Sequence, residues 1–131
     1  MMNLEVVCGI IRNENGEVLI AQRPAHTSFG GSWEFAGGKI EKDEAPEAAL
    51  VRELKEELAV DVTVGDHIGI YTHEFSDRTI RLHAYYAHTD QQPVALEHQE
   101  LMWVHPLSYR GSFLLDSNKP ILDEIMLDSL F

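Results

Sequence analysis

The stretch Gly37-Gly38-Lys39-Ile40-Glu41-Lys42-Asp43-Glu44-Ala45-Pro46, continued by Glu47-Ala48-Ala49-Leu50-Val51-Arg52-Glu53-Leu54-Lys55-Glu56-Glu57-Leu58-Ala59-Val60, decides how this chain is read. Pro46 suits the first turn of a helix, where its missing N–H would lack an intrahelical partner anyway, and Glu47 to Leu58 keeps helical spacing. At about 100° per residue, Glu53, Glu56 and Glu57 share one face, because positions three and four apart are neighbours on a helix. Val51, Leu54 and Leu58 fall on another face, the one expected to pack against a sheet. The apolar face therefore fixes the direction in which three carboxylates point.

Like charges at these spacings cost a helix about 0.2–0.5 kcal/mol per pair. A solvated acidic face explains such a cluster in a helix taken at random. Here the flanks weigh against it: Gly37-Gly38 lies just upstream and Arg52 sits among the acids. Hard oxygen ligands beside a flexible backbone turn suit Mg²⁺, which keeps several waters and shares its shell with substrate phosphates. Such an ion cancels the carboxylate repulsion and supplies the cation that an anionic substrate requires.

Outward from this segment the chain alternates strand-like and turn-like stretches. Leu4 to Ile11 and Glu17 to Gln22 are apolar and β-branched, and Asn13-Glu14-Asn15-Gly16 between them is turn chemistry, so a hairpin is expected. Arg23 to Ser32 reads as a loop, and Trp33-Glu34-Phe35 as a short strand before the glycines. Further strands are expected at Val60–Val64, His67–Phe75, Thr79–Ala87 and Leu101–Val104, and a final helix from about Pro120 with Leu122, Ile125, Met126 and Leu130 on one face. Strands around two helices with hairpin-type links point to an α+β sandwich, with residues 1–131 as a single domain.

Ten Lys and Arg against 22 Asp and Glu give a net charge of −12, which argues against a nucleic acid polymer as partner. No apolar run approaches the roughly 18 residues of a membrane span and no secretory signal is visible, so neither a membrane nor secretion is expected. The single cysteine, Cys8, lies in an apolar strand pattern and suits a reducing cytoplasm as a buried thiol. The seven histidines show no zinc-type spacing, and His83 and His88, five apart in a strand, point to opposite faces. Trp33 and Trp103 read as sheet packing.

Gly38, five residues, Glu44, seven residues, then Arg52-Glu53-Leu54-Lys55-Glu56-Glu57-Leu58-Ala59-Val60 resembles the Nudix box, with Ala59 where the family has Gly. That position follows the helix and calls for a left-handed backbone, where Ala costs about 1 kcal/mol, or else for another helix ending. The resemblance implies an α/β/α sandwich with a mixed central sheet and the box as loop-helix-loop. It implies a divalent cofactor, Mg²⁺ with Mn²⁺ as substitute, held by Glu53, Glu56 and Glu57 with the Gly37 carbonyl. Glu53 is also the implied general base, Glu44 and Arg52 the supporting pair, and Gly38 and Lys39 phosphate contacts. Glu97 or Glu100 stands where many relatives place an additional metal-binding acid; either could equally be solvated.

Similarity beyond the box extends to the MutT-like branch, both its 8-oxo-dGTP diphosphatases and its NudG-type CTP pyrophosphohydrolases. It is carried by Gly9 to Asn15, Ala21 to Ala25, Trp33 to Lys39, Glu74 to Arg78, Glu97 to Gln99 and Asn118-Lys119-Pro120. The implied reaction is hydrolysis of a nucleoside triphosphate, 8-oxo-dGTP or a CTP-type pyrimidine nucleotide, to monophosphate and pyrophosphate. The protein is then a cytoplasmic nucleotide-pool enzyme, monomeric or weakly dimeric. Each proposed base contact has a rival: Asn118 reads a purine edge or simply caps a helix, and Arg23 contacts substrate or is solvated. Phe35 stacks on the base or fills the core, and Asp77-Arg78 contacts substrate or only turns a hairpin. Two other classes stand beside the enzyme: a non-catalytic nucleotide-sensing module, and the oxidised-guanine-reading domain of a DNA repair glycosylase. The intact box acids oppose the first, and the charge opposes the second.

Overall fold

The structure is a computed structural model that describes residues 2–130. In chain order its elements are β1 (Met2–Ile11), β2 (Val18–Gln22), β3 (Trp33–Glu34), β4 (Gly37–Lys39), α1 (Pro46–Leu58), β5 (Thr63–Glu74), β6 (Arg78–His88), β7 (Glu100–Val104), α2 (Pro106–Tyr109), a 3-10 turn at Asp116–Asn118, and α3 (Lys119–Asp128). A mixed sheet runs β4-β1-β6-β5, with β1 and β6 parallel and the outer pairs antiparallel; a smaller antiparallel sheet runs β3-β2-β7.

From Val7 to Ile11 β1 is buried on both faces, as its apolar run requires. Successive side chains point to opposite sides. Val7 and Ile11 join Leu50, Leu54, Leu58 and Val60 under α1, while Cys8 and Ile10 join Phe35, Leu82, Ile121, Leu122 and Ile125 under α3. The mixed sheet is thus the middle layer of an α+β sandwich, α1 on one face and α3 on the other. Gly9 lies on the α1 side, where a Cβ would come within 3.1 Å of both Leu50 and Leu54. Its lack of a side chain lets the helix seat closely.

Four expectations need correction. β1 and β2 are not a paired hairpin. The turn forms, with Asn13 N–H donating to Glu17 O and one bridge between Arg12 and Val18, but beyond it the strands diverge into different sheets. Val51 is 40 % exposed, and Leu50 takes the place in the core that Val51 was expected to hold. Val60–Val64 is not a separate strand: pairing starts at Thr63 and continues to Glu74, with register irregularities near Gly65 to Gly69 absorbing what reads as a break. Leu130 lies past the end of α3 and is 62 % exposed; Ile121 fills that stripe instead.

Ala59 ends α1 with φ 58° and ψ 33°, a left-handed residue whose N–H donates to Lys55 O. An L side chain there carries a steric cost of about 1 kcal/mol that glycine avoids. Ala59→Gly is expected to raise unfolding free energy by about 0.5–1 kcal/mol in urea titration, with activity unchanged.

Candidate active site

The stripe Leu50, Leu54 and Leu58 is fully buried, and this seating turns the opposite part of α1 toward β4 and the loops around it. Glu53 lies directly over Gly38: a Cβ at Gly38 would stand 2.4 Å from the Glu53 carboxylate. Only glycine allows that approach. Arg52 ties the assembly together. It donates to both oxygens of Glu44 at 2.9 Å, to Glu53 Oε1 at 2.9 Å and to the Lys39 carbonyl at 3.0 Å, with Glu56 Oε2 at 3.5 Å. Lys39 itself is exposed at the end of β4.

Glu57 is the buried member of the acidic face, its side chain 8 % exposed against 52 % for Glu56. Burial pushes its carboxyl up to about 9, and the nearby carboxylates of Glu34, Glu53 and Glu97 push the same way. Its Oε1 has no hydrogen-bond partner, and neither has His98 Nδ1, 3.8 Å away. The other His98 nitrogen, Nε2, lies 2.8 Å from Glu34 Oε2, and Glu34 Oε1 accepts from Arg23 at 3.1 Å.

The segment bearing Glu97 and His98 is stitched to the end of α1: Val94 N–H donates to Leu58 O and Leu96 N–H to Glu57 O, satisfying carbonyls that a helix terminus leaves open. Gln99 N–H donates to Gln22 O. Glu97 is thereby brought to the Glu57 end of a cavity of about 580 Å³, whereas Glu100 heads β7 opposite Gln22 and lies outside its lining.

The same cavity extends past Gly37, Gly38, Arg23 and Arg78 to a floor of Phe35, Leu82 and Leu114 beside Asn118. Phe35 is 3 % exposed and part of the core, so it presents only a wall to the cavity. Asn118 is buried and caps no helix; its Oδ1 accepts from the Phe35 N–H at 2.9 Å and its amide donates to Ser117. Asp77 and Arg78 do turn the β5–β6 hairpin, Phe75 N–H donating to Arg78 O. Arg78 also lies over the Phe75 ring and lines the cavity, whereas Asp77 is exposed and outside its lining.

A family model described as the NUDIX domain matches residues 2–126. The chain belongs to the Nudix family. It is 43% identical to the CTP pyrophosphohydrolase of Escherichia coli over 129 residues, covering 96% of this chain and 93% of that one. It is 33% identical to the 8-oxo-dGTP diphosphatase of the same organism, covering 95% and 98%. The solution structure of the E. coli ORF135 protein superposes with a TM-score of 0.85 at 42% identity, covering 97% and 91%. This Nudix hydrolase is an enzyme of a class that generally uses a divalent metal.

Its own residues fit such an ion. Glu53 and Glu57 converge, an oxygen of Glu57 is buried without a partner, and Glu34 and Glu97 add charge of the same sign. Among the described residues no group of three or more His, Cys, Asp and Glu is already arranged to hold a metal. Unneutralised carboxylates repel, and Arg52 holds Glu56 at the rim. The sequence reading missed Glu34 and His98. The alternation of Trp33-Glu34-Phe35 was the available signal for Glu34, since Phe35 facing the core turns Glu34 to the other side.

Two outcomes follow. Glu44 is held down at about 2, below the ordinary 4.5, by its bonds from Arg52 and then by the Glu41 backbone N–H. A depressed carboxyl stabilises the fold above its unfolded value, and that contribution fades as pH falls from 4.5 toward 2. Acid titration of Glu44→Gln should therefore lose less stability across this window than the unaltered protein. Burial keeps the Glu57 carboxyl protonated well above its unfolded value, at a cost to the fold that Glu57→Gln removes, so in chelator at pH 7 the variant should melt higher by about 2–5 °C in calorimetry.

Proposed function

We propose that this chain is a single-domain, magnesium-dependent pyrophosphohydrolase that converts a nucleoside triphosphate to its monophosphate and pyrophosphate. One observation carries the reading: a single cavity joins the buried acid Glu57 and the half-buried Glu34 to a floor of Phe35, Leu82 and Asn118. Its volume of about 580 Å³ falls within the range of small-molecule sites. An acidic end accepts a phosphate chain only with a cation, and the apolar, amide-edged end suits a base.

In this reading Glu53, Glu56 and Glu57, the Gly37 carbonyl and Glu97 hold Mg²⁺, which when bound supplies charge neutralisation for the phosphates. Glu97 is preferred to Glu100 because it lines the cavity. Glu53 is the general base. Arg52 holds one of its oxygens at 2.9 Å, and the other takes a proton from the attacking water. Arg52 is aimed in turn by Glu44 and the Lys39 carbonyl. Arg23 and Arg78, which both line the cavity, meet the substrate, whose anionic chain balances them. The net charge of −12 favours a free nucleotide over a nucleic acid polymer.

A CTP-type pyrimidine nucleotide is the leading substrate, on the greater identity to a CTP pyrophosphohydrolase over almost the whole chain. Asn118 favours a second reading, 8-oxo-dGTP: its amide hydrogen left over from Ser117 lies at the cavity floor, ready for an oxidised purine edge.

Pyrophosphate release with Mg²⁺ from CTP, dCTP, 5-methyl-dCTP, dGTP and 8-oxo-dGTP tests both. Cytosine nucleotides should show the highest kcat/KM, and Glu53→Gln should lower kcat by about 100-fold or more. Failure to cleave any triphosphate would overturn the proposal.

A further inference from the structure

We infer that His98 is itself a ligand of the divalent cation, its Nδ1 sharing the ion with Glu57 Oε1. The inference rests on the metal reading given above and adds a nitrogen donor to an otherwise all-oxygen set.

The His98 side chain is 5 % exposed and that of Glu57 8 %. Nε2 lies 2.8 Å from Glu34 Oε2, and a carboxylate only accepts, so Nε2 carries a hydrogen and Nδ1 of the neutral ring is left with a lone pair. That lone pair faces Glu57 Oε1 at 3.8 Å, beyond hydrogen-bond length, and both atoms are buried without a partner. Two buried polar atoms 3.8 Å apart are costly to leave unmatched. A cation between them satisfies both at once. Neighbouring ligands of one small ion, with bonds of about 2.1 Å, stand about 3.0–3.4 Å apart, so a shift of about half an ångström brings the pair together.

The rest of the arrangement is that of a fixed ligand. Glu34 donates nothing and fixes the ring tautomer, and Arg23 holds the other oxygen of Glu34 at 3.1 Å. A carboxylate behind a histidine is how a metal-bound imidazole is usually oriented. The backbone is pinned on both sides of His98, through Leu96 N–H on Glu57 O and Gln99 N–H on Gln22 O. An imidazole donor raises affinity for transition ions over Mg²⁺, which prefers oxygen. The site therefore binds Mn²⁺ more tightly than Mg²⁺ through His98.

Electron spin-echo spectroscopy of the full chain loaded with Mn²⁺ reads the donor directly. The expected result is ¹⁴N modulation that changes to a ¹⁵N pattern when histidine alone is ¹⁵N-labelled. His98→Gln should abolish it, and in calorimetry should weaken Mn²⁺ binding by about tenfold or more while changing Mg²⁺ binding less. Bound Mn²⁺ without histidine nitrogen modulation overturns the His98 assignment and leaves the metal reading intact. A spectrum of free Mn²⁺ only, with protein in excess, overturns the metal reading itself. The isotope-labelled wild-type protein decides the matter even where His98→Gln fails to fold.

Discussion

Leu50, Leu54 and Leu58 are sealed between α1 and the mixed sheet, and their burial leaves the helix one way to lie. Once they are seated, Glu53 must hang over Gly38 and Glu57 must enter a space already occupied by Glu34, Glu97 and His98. Burying an apolar side chain of this size stabilises by about 1.5–3 kcal/mol each, more than the repulsion among exposed helix carboxylates. The fold can therefore hold like charges together before any cation arrives. The cost concentrates at Glu57, the most buried of the acids, which is where a bound ion returns the most.

The end of α1 gathers the remaining parts. Ala59 takes a left-handed conformation that turns the chain out of the helix, and the open carbonyls of Glu57 and Leu58 receive Leu96 and Val94 from a distant loop. That docking carries His98 and Glu97 to Glu57. On the opposite wall β3 and the Arg23 loop supply Glu34 and Arg23, linked to each other and to His98. The acids thus come from three separate segments, α1, β3 and the Glu97 loop, each also held by backbone hydrogen bonds.

How much of this could be read from sequence depended on the range of the interactions. The box helix and its proline start are local, so spacing located them, while the left-handed position at Ala59 was one of two helix endings suggested by the glycine of the Nudix box. Membership of the Nudix family followed from the same segment, and the α+β sandwich from the order of strands around two helices. The β1–β2 turn was equally local, but which sheet each strand joins depends on partners such as β6 and β7 far along the chain. Val51 and Leu50 are adjacent apolar residues at the edge of one stripe, and a small rotation of the helix exchanges them. His98 sits in a loop with no periodic pattern, and only its docking onto α1 reveals it. Asn118 stood in a helix-capping position, yet a bond to Phe35, 83 residues away, took its side chain elsewhere.

The central claim is that these converging carboxylates are a cation site first and an acidic surface second. Melting temperature measured against Mg²⁺ concentration, at constant ionic strength and with Na⁺ as control, tests it most directly. Because an ion that binds only the folded state stabilises it logarithmically, the account predicts a steady rise in melting temperature with Mg²⁺ that Na⁺ does not produce. A melting temperature that responds alike to both ions would contradict it.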